Sequence, residues 1–276
     1  MTDCQIIPEI VGCSATLRMA ALQAVDAIKH GRHILVEGEP GSGRRLLARS
    51  AWCHRSRSAR SLFTLDCRMF PSDGVEELLL GERSSADAHA TIHLGKLKMS
   101  IGGGLLLLHV ESLHLKTQRR LAQALSHILS CPRSEAIQLM MTCTCFSHTT
   151  TSLHPDLAAL LLRIRVPALR ERVEDIRALA ESFLHNASPF ERIRCSLALI
   201  DRFCDYDWPG NVTELRTVLR RLLLEQHNGL LDVHHLADLP YRDDTCFALR
   251  QDGHGLPRMD AGLIQSGSSV TSRSLQ

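Results

Sequence analysis

His33-Ile34-Leu35-Val36-Glu37-Gly38-Glu39-Pro40-Gly41-Ser42-Gly43-Arg44-Arg45-Leu46-Leu47-Ala48-Arg49 is the stretch on which the fold turns. A short apolar run ends at Gly38, a glycine-rich turn follows, and helical spacing begins at Arg44. Strand, glycine loop and helix in that order are the setting of a phosphate-binding loop. Glycines let the backbone wrap, amides point inward at phosphate oxygens, and the helix N-terminus adds the positive end of its dipole. The usual form places lysine and then Ser or Thr after the last glycine; here those positions are Arg44 and Arg45. Arginine keeps the charge but is forked and bulkier, so it is no neutral exchange for an ammonium. The candidate nucleotide-binding residues are Gly38, Glu39, Pro40, Gly41, Ser42, Gly43, Arg44 and Arg45. The same run also fits a glycine-rich turn that holds no ligand, and both readings stay open on these residues alone.

Working outward, three more apolar runs follow: SLFTLDC (61–67), GGLLLLHV (103–110) and AIQLMMTC (136–143). Between them RRLLARSAWCHR, GVEELLL and TQRRLAQALSHIL have helical spacing. Strands alternating with helices from Ile10 to about Arg165 predict an α/β fold, a doubly wound parallel sheet covered on both faces. From Leu169 no strand is expected. VEDIRALAESFLHNAS, CSLALIDRFCDY and NVTELRTVLRRLLLEQH read as helices, with Asn211 as the cap of the last after the Pro209-Gly210 break. On α-helical spacing Leu215, Val218, Leu219 and Leu222 face inward, and Arg216, Arg220 and Arg221 outward. Beyond Pro240 the chain turns polar and Gly/Ser-rich, which reads as a flexible tail. The predicted organisation is a lead-in (1–9), an α/β subdomain (10–168), a helical lid (169–240) and the tail (241–276).

Composition narrows the function. The chain has 276 residues, 44% hydrophobic and 22% charged, and a net charge of +2. So balanced a charge gives no electrostatic case for nucleic acid or membrane. Aromatics at 4% argue against a base-stacking surface. No apolar run of about eighteen residues exists, so no membrane span is expected, and the first residues lack a secretory signal's pattern. The ten cysteines are scattered and form no CxxC pair. They read as reduced, mostly buried thiols of a cytoplasmic chain rather than as disulfides or a metal site. Cys143 and Cys145, on a predicted strand, read as core.

Three further segments carry a resemblance. VPALRERVEDIRALAESFL (166–184) is similar to a PPLRER-x-x-DI-x-x-L-A-x-x-F segment, YDWPGNVTELRTVL (206–219) to a WPGNVREL signature, and LFTLDC to a strand written FxxVNC. Together with Val11 and Gly12 in VGCS, which resemble the entry to an adenine pocket, they resemble the AAA+ domain of bacterial sigma-54-dependent transcription activators. The likeness runs in order from Ile10 to Leu239. It implies an AAA+ P-loop sheet with a helical lid, ATP as ligand, and a site between protomers that favours self-association.

The resemblance also marks departures. The Walker B aspartate and glutamate fall on Leu108 and His109, the sensor I asparagine on Thr144, and the sensor II arginine on Thr213. The arginine-finger positions fall on His154 and Leu160. Leucine offers a metal no lone pair, and neutral imidazole is a poor partner for hard Mg²⁺. Glu111, the nearest acid, is expected to point elsewhere. These departures predict a chain without catalytic residues or a bound metal: a pseudo-ATPase that binds ATP weakly or without Mg²⁺. Where the family carries its GAFTGA sigma-54 contact loop, this chain reads Ser85-Ala86-Asp87-Ala88-His89-Ala90. Relatives lacking that loop regulate sigma-70 promoters, among them the regulators of dihydroxyacetone kinase operons, whose degenerate Walker B this one resembles. The implied partners are the transcription machinery or a regulatory protein. DNA is reached only through a C-terminal helix-turn-helix domain, for which Met259–Gln276 is too short. Two alternatives remain: an active P-loop ATPase with unorthodox residues, and a truncated non-functional remnant.

Overall fold

The computed structural model describes residues 7, 9–55, 61–69, 72–81, 95–129, 137–145, 153–188, 193–225 and 229–237. Residues 56–60, the 85–90 stretch and the 241–276 tail lie outside the described residues.

Five strands form one sheet: β1 (Ile34–Gly38), β2 (Leu62–Asp66), β3 (Gly104–Leu108), β4 (Gln138–Thr144) and β5 (Leu162–Arg165). Their order is β2-β3-β4-β1-β5, and every pairing is parallel. Helices α1 (Ala15–Lys29), α2 (Arg44–Arg55), α3 (Ser72–Leu80), α4 (Lys96–Met99), α5 (Leu115–Leu129) and α6 (Pro155–Ala159) accompany it. This is the α/β arrangement expected. Strand β3 shows why a continuous leucine run suits a central strand. Leu106 and Leu108 pack with α1 and α2 on one face, while Leu105 and Leu107 pack with α3 and α5 on the other. Gly104 opens the strand because a Cβ there would lie 3.1 Å from the Trp52 ring of α2.

Neither α1 nor β5 is among the runs named from the sequence. Alanines at 20, 21, 24 and 27 give α1 a small-residue face that sits close to the sheet. Strand β5, Leu-Arg-Ile-Arg, is an edge strand whose alternation leaves both arginines outward, so it is too charged to read as an apolar run.

After Val166 come α7 (Asp175–Ala187), α8 (Leu197–Cys204), α9 (Asn211–Glu225) and α10 (His234–Ala237). Against expectation, this region also holds two short parallel strands, β6 (Arg194–Cys195) and β7 (Leu230–Leu231), two residues each and too short to show a period. Trp208 anchors it. The ring is fully buried, its Nε1 donates to the Phe203 carbonyl at 2.7 Å, and it meets Phe203 and Tyr206 edge-on. On α9 the inward leucines and outward arginines fall as their spacing predicts. Asn211 does not cap its own helix. The Gly210 amide is taken by Glu214 Oε2 at 2.7 Å, leaving the Asn211 side chain for longer-range bonds.

Replacing Leu107, which is fully buried, with alanine should remove about 3 kcal/mol of stability. In urea unfolding, the midpoint should fall with an unchanged slope.

Candidate functional site

All five strands run parallel, so their carboxyl ends share one edge, where the connecting loops of such sheets form a crevice. The loop after β1 lies at that edge. Gly41 has φ +77°, and a Cβ there would meet the Gly210 carbonyl at 2.3 Å and Thr213 Oγ1 at 3.0 Å, so only glycine fits. Gly43 has φ +104° and open space around it. Gly38 is confined by Val166 and Ser42. Arg44 opens α2 and Arg45 is exposed. The first-turn amides of α2 lack intrahelical partners, which suits an anion.

The loop is gripped from the far side of the chain. Glu39, buried, takes both terminal nitrogens of Arg170, at 2.8 Å and 2.5 Å. Asn211 Nδ2 donates to Glu39 Oε2 at 3.1 Å and to the Pro40 carbonyl at 3.0 Å, while its Oδ1 accepts from the Leu169 amide at 2.7 Å. Arg172 Nη2 donates to the Ser42 carbonyl at 2.6 Å. Asp175, fully buried, accepts from the Cys13 amide at 2.6 Å, the Ser14 amide at 2.8 Å and Ser14 Oγ at 2.9 Å. Gly12 is required there, because a Cβ would fall 2.8 Å from Asp175 Oδ2. The 11–14 segment and the glycine loop are thus both tied to residues 170–175, with Val11 half-buried beside Gly12. Two buried polar atoms in this grip, Ser42 Oγ and Arg172 Nε, make no hydrogen bond.

Across the crevice stand the ends of β3 and β4. Leu108 is buried among the apolar residues against α1 and α2. His109 adopts a left-handed backbone, φ 58°, and donates its amide to Thr142 Oγ1 at 3.2 Å. Arg44 is buried and its Nη1 donates to Thr144 Oγ1 at 2.9 Å. Glu111 corrects an expectation: the turn at Val110–Ser112 swings its carboxylate back into the site. Its Oε1 accepts from the Thr144 amide at 3.1 Å and lies 3.2 Å from His109 Nδ1. Its Oε2 is buried with no hydrogen-bond partner, and the Cys143 thiol lies beside the carboxylate. Thr144 therefore links the loop's cation to a carboxylate. Burial pushes the Glu111 carboxyl up, but its hydrogen bonds, led by those of Thr144, leave it below the usual range. Burial draws Arg44 down, opposed by the charge of Glu111. Asp66, paired in register with Leu108, is held by Arg68 through bonds of 2.8 Å and 3.1 Å.

Of the remaining positions, Thr213 is exposed beside Gly41, His154 caps α6, and Leu160 ends that helix. Gln118 ties the β3–α5 turn to α6, donating to the Leu113 carbonyl at 2.9 Å and accepting from the His154 amide at 2.8 Å. The described cysteines are free thiols. Burial pushes Cys67 up to about 12 and raises Cys143 as well, but against expectation Cys145, Cys195 and Cys204 are only half-buried and Cys13 and Cys53 are exposed. Among the described residues, no helix is long and apolar enough to cross a membrane.

The sequence profile of the Sigma-54 interaction domain matches residues 10–152, more than half of the chain, and that of the AAA+ ATPase lid domain matches residues 170–244. The chain belongs to the Sigma-54 interaction domain family. It is 30% identical over 229 residues to the anaerobic nitric oxide reductase transcription regulator NorR of Vibrio vulnificus, covering 77% of this chain and 45% of the relative. It is 30% identical over 275 residues to the alginate biosynthesis transcriptional regulatory protein AlgB of Pseudomonas aeruginosa, covering 93% and 57%. The transcriptional activator RocR of Bacillus subtilis is 28% identical over 224 residues, covering 76% and 49%. The chain spans about half the length of these relatives. The fold resembles NtrX of Brucella abortus solved in complex with ATP, with TM-score 0.69 and 20% identity over 88% of this chain and 58% of that one. NtrX has also been solved with ADP. A RuvB variant of Thermotoga maritima aligns with TM-score 0.58 and 13% identity, over 83% and 68%.

Two outcomes follow from the geometry. Glu39→Ala strands the Arg170 and Asn211 donors and should lose about 2 kcal/mol, read as a lowered urea midpoint. Glu111 has a depressed folded pKa, so the stability it adds is present above its ordinary value near 4.5 and is lost as pH falls through the folded value. Glu111→Gln should flatten the acid limb of stability against pH, measured by denaturant unfolding from neutral pH downward.

Proposed function

We propose that this chain is a transcription-regulation module that binds adenine nucleotide without hydrolysing it and acts through a partner. An α/β subdomain (10–168) holds the ligand and a lid (169–240) presents the surface. The observation that carries this reading is the split state of one crevice. The loop half keeps its shape: Gly41 and Gly43 have the positive φ it needs, Arg170, Arg172 and Asn211 hold it, and Val11 and Gly12 are anchored through Asp175. Relatives of this fold that carry ATP and ADP support adenine nucleotide as the ligand. The chemical half is rebuilt without its acids. Leu108 brings no oxygen to a metal, His109 points at Glu111, and Thr213 places no guanidinium beside the loop. Hard Mg²⁺ wants oxygen donors, which Leu108 and His109 do not supply. Hydrolysis would need charge neutralisation at the transferring phosphoryl group, and each missing group removes orders of magnitude in rate.

Without turnover, a nucleotide regulates only through differential affinity for two states of the module. The grip on the glycine loop from residues 169–172 and 211 supplies the coupling, because a ligand at the loop bears on the same residues that position the lid helices. The partner is part of the transcription machinery or a regulatory protein, and self-association follows the family's assembly. The altered β3 end groups the chain with regulators such as the dihydroxyacetone kinase operon type. The 85–90 sequence, without the family's contact-loop tip, favours action away from sigma-54 remodelling.

One observation favours a second reading, an unorthodox ATPase: Glu111 reaches the crevice, three residues beyond the usual acid. Calorimetric titration of ATP and ADP with and without Mg²⁺, beside a phosphate-release assay, decides between them. The first reading expects micromolar binding insensitive to Mg²⁺ and no phosphate release. Mg²⁺-dependent binding with turnover abolished by Glu111→Gln would establish the second. Absence of binding by either nucleotide would leave a scaffold or a remnant.

A further inference from the structure

We infer that the site discriminates against nucleoside triphosphate in favour of diphosphate, and that Glu111 is the residue that does so. The inference rests on the nucleotide binding proposed above and adds the ligand's class. In a phosphate-binding loop the backbone amides cradle the inner phosphates, while the cation after the last glycine reaches toward the outer ones. That cation here is Arg44, and it is already engaged: Nη1 donates to Thr144 Oγ1 at 2.9 Å. Thr144 in turn gives its amide to Glu111 Oε1 at 3.1 Å. The carboxylate is therefore linked through Thr144 to the guanidinium that an outermost phosphoryl group would have to engage. Its Oε1 is held by the Thr144 amide, whereas its second oxygen, Oε2, is buried with no hydrogen-bond partner. A diphosphate is served by the loop amides and the near side of Arg44. A triphosphate brings one more anionic group against Glu111 and must draw Arg44 off Thr144.

The other charges around this point do not relieve the conflict. Arg68 lies near enough to influence both Arg44 and Glu111, but Asp66 takes its guanidinium by bonds of 2.8 Å and 3.1 Å. His109 Nδ1 is directed at Glu111 Oε1 itself, 3.2 Å away. Among the described residues at the ends of β3 and β4, Arg44 and Arg68 are matched by Glu111 and Asp66. Repulsion between unit charges several ångströms apart in a partly screened crevice amounts to about tenfold in affinity.

The test is titration of the purified chain with ADP and with ATP, both in EDTA, for the wild type and Glu111→Gln, with circular dichroism confirming that the variant is folded. ADP should bind the wild type about tenfold more tightly than ATP. Glu111→Gln keeps the shape and removes the charge, so it should bring the two affinities to within about twofold, chiefly by tightening ATP. Wild-type protein that binds ATP as tightly as ADP overturns the inference whatever the variant does. A wild-type preference for ADP that survives intact in Glu111→Gln overturns the assignment to Glu111. Failure of both nucleotides to bind the wild type overturns the nucleotide reading and this inference with it, whereas the first two results leave that reading standing.

Discussion

Glu39 is the constraint on which the rest of the site depends. A carboxylate buried in a glycine loop would be destabilising alone, since removal from water penalises the charged form by several kcal/mol or so. It persists because Arg170 meets it with two parallel bonds and Asn211 adds a third. The pair is also what raises the Arg170 guanidinium, whose hydrogen bonds to Glu39 favour its charged form. These partners lie more than a hundred residues away in sequence, on the stretch leading into α7 and at the start of α9. The loop's shape is therefore not a local property. Glycines permit it, and the segment after β5 selects it. Gly41 shows the same dependence from the other direction, because the Gly210 carbonyl occupies the volume that any side chain would need.

This arrangement explains which parts were legible in the sequence. The glycine loop and β3 were legible because each is a contiguous pattern with a local physical cause. Leu105 to Leu108, a short apolar run after Gly104, fits a strand buried on both faces, and it is one. The roles of Arg170, Arg172 and Asp175 were present in the VPALRERVEDI motif as letters but not as partners, since nothing local says that Arg172 reaches the Ser42 carbonyl. Asn211 misled for the same reason. Its position before a helix suggests a cap, whereas its left-handed backbone, φ 54°, releases the side chain for Leu169, Glu39 and Pro40. Glu111 misled because spacing along an extended strand does not survive the turn after it. The left-handed His109 followed by one tight turn reverses the chain and returns a carboxylate that strand geometry would send away. The short β6–β7 pair and the charged edge strand β5 lacked a pattern long enough to see.

The charged groups of the crevice can be understood as one electrostatic problem. In a site that turns over, a cation after the loop, a metal and several arginines share the charge of the phosphates. Leu108 contributes packing, and its place in the core against α1 and α2 adds to stability. A buried guanidinium with no counter-charge is costly, so Arg44 needs an anion whether or not a ligand is present. Glu111 meets that need through Thr144. On the inference drawn above, the contact that stabilises Arg44 also resists additional negative charge, so that one carboxylate would set both stability and ligand selection at this crevice. On the proposed reading, the two states of the module differ in where the Arg44 guanidinium rests, on Thr144 or on a phosphate, and passage between them needs no hydrolysis. Such a choice would be reversible at equilibrium and governed by nucleotide concentration, which is the property that the proposed role, sensing a ligand without consuming it, requires.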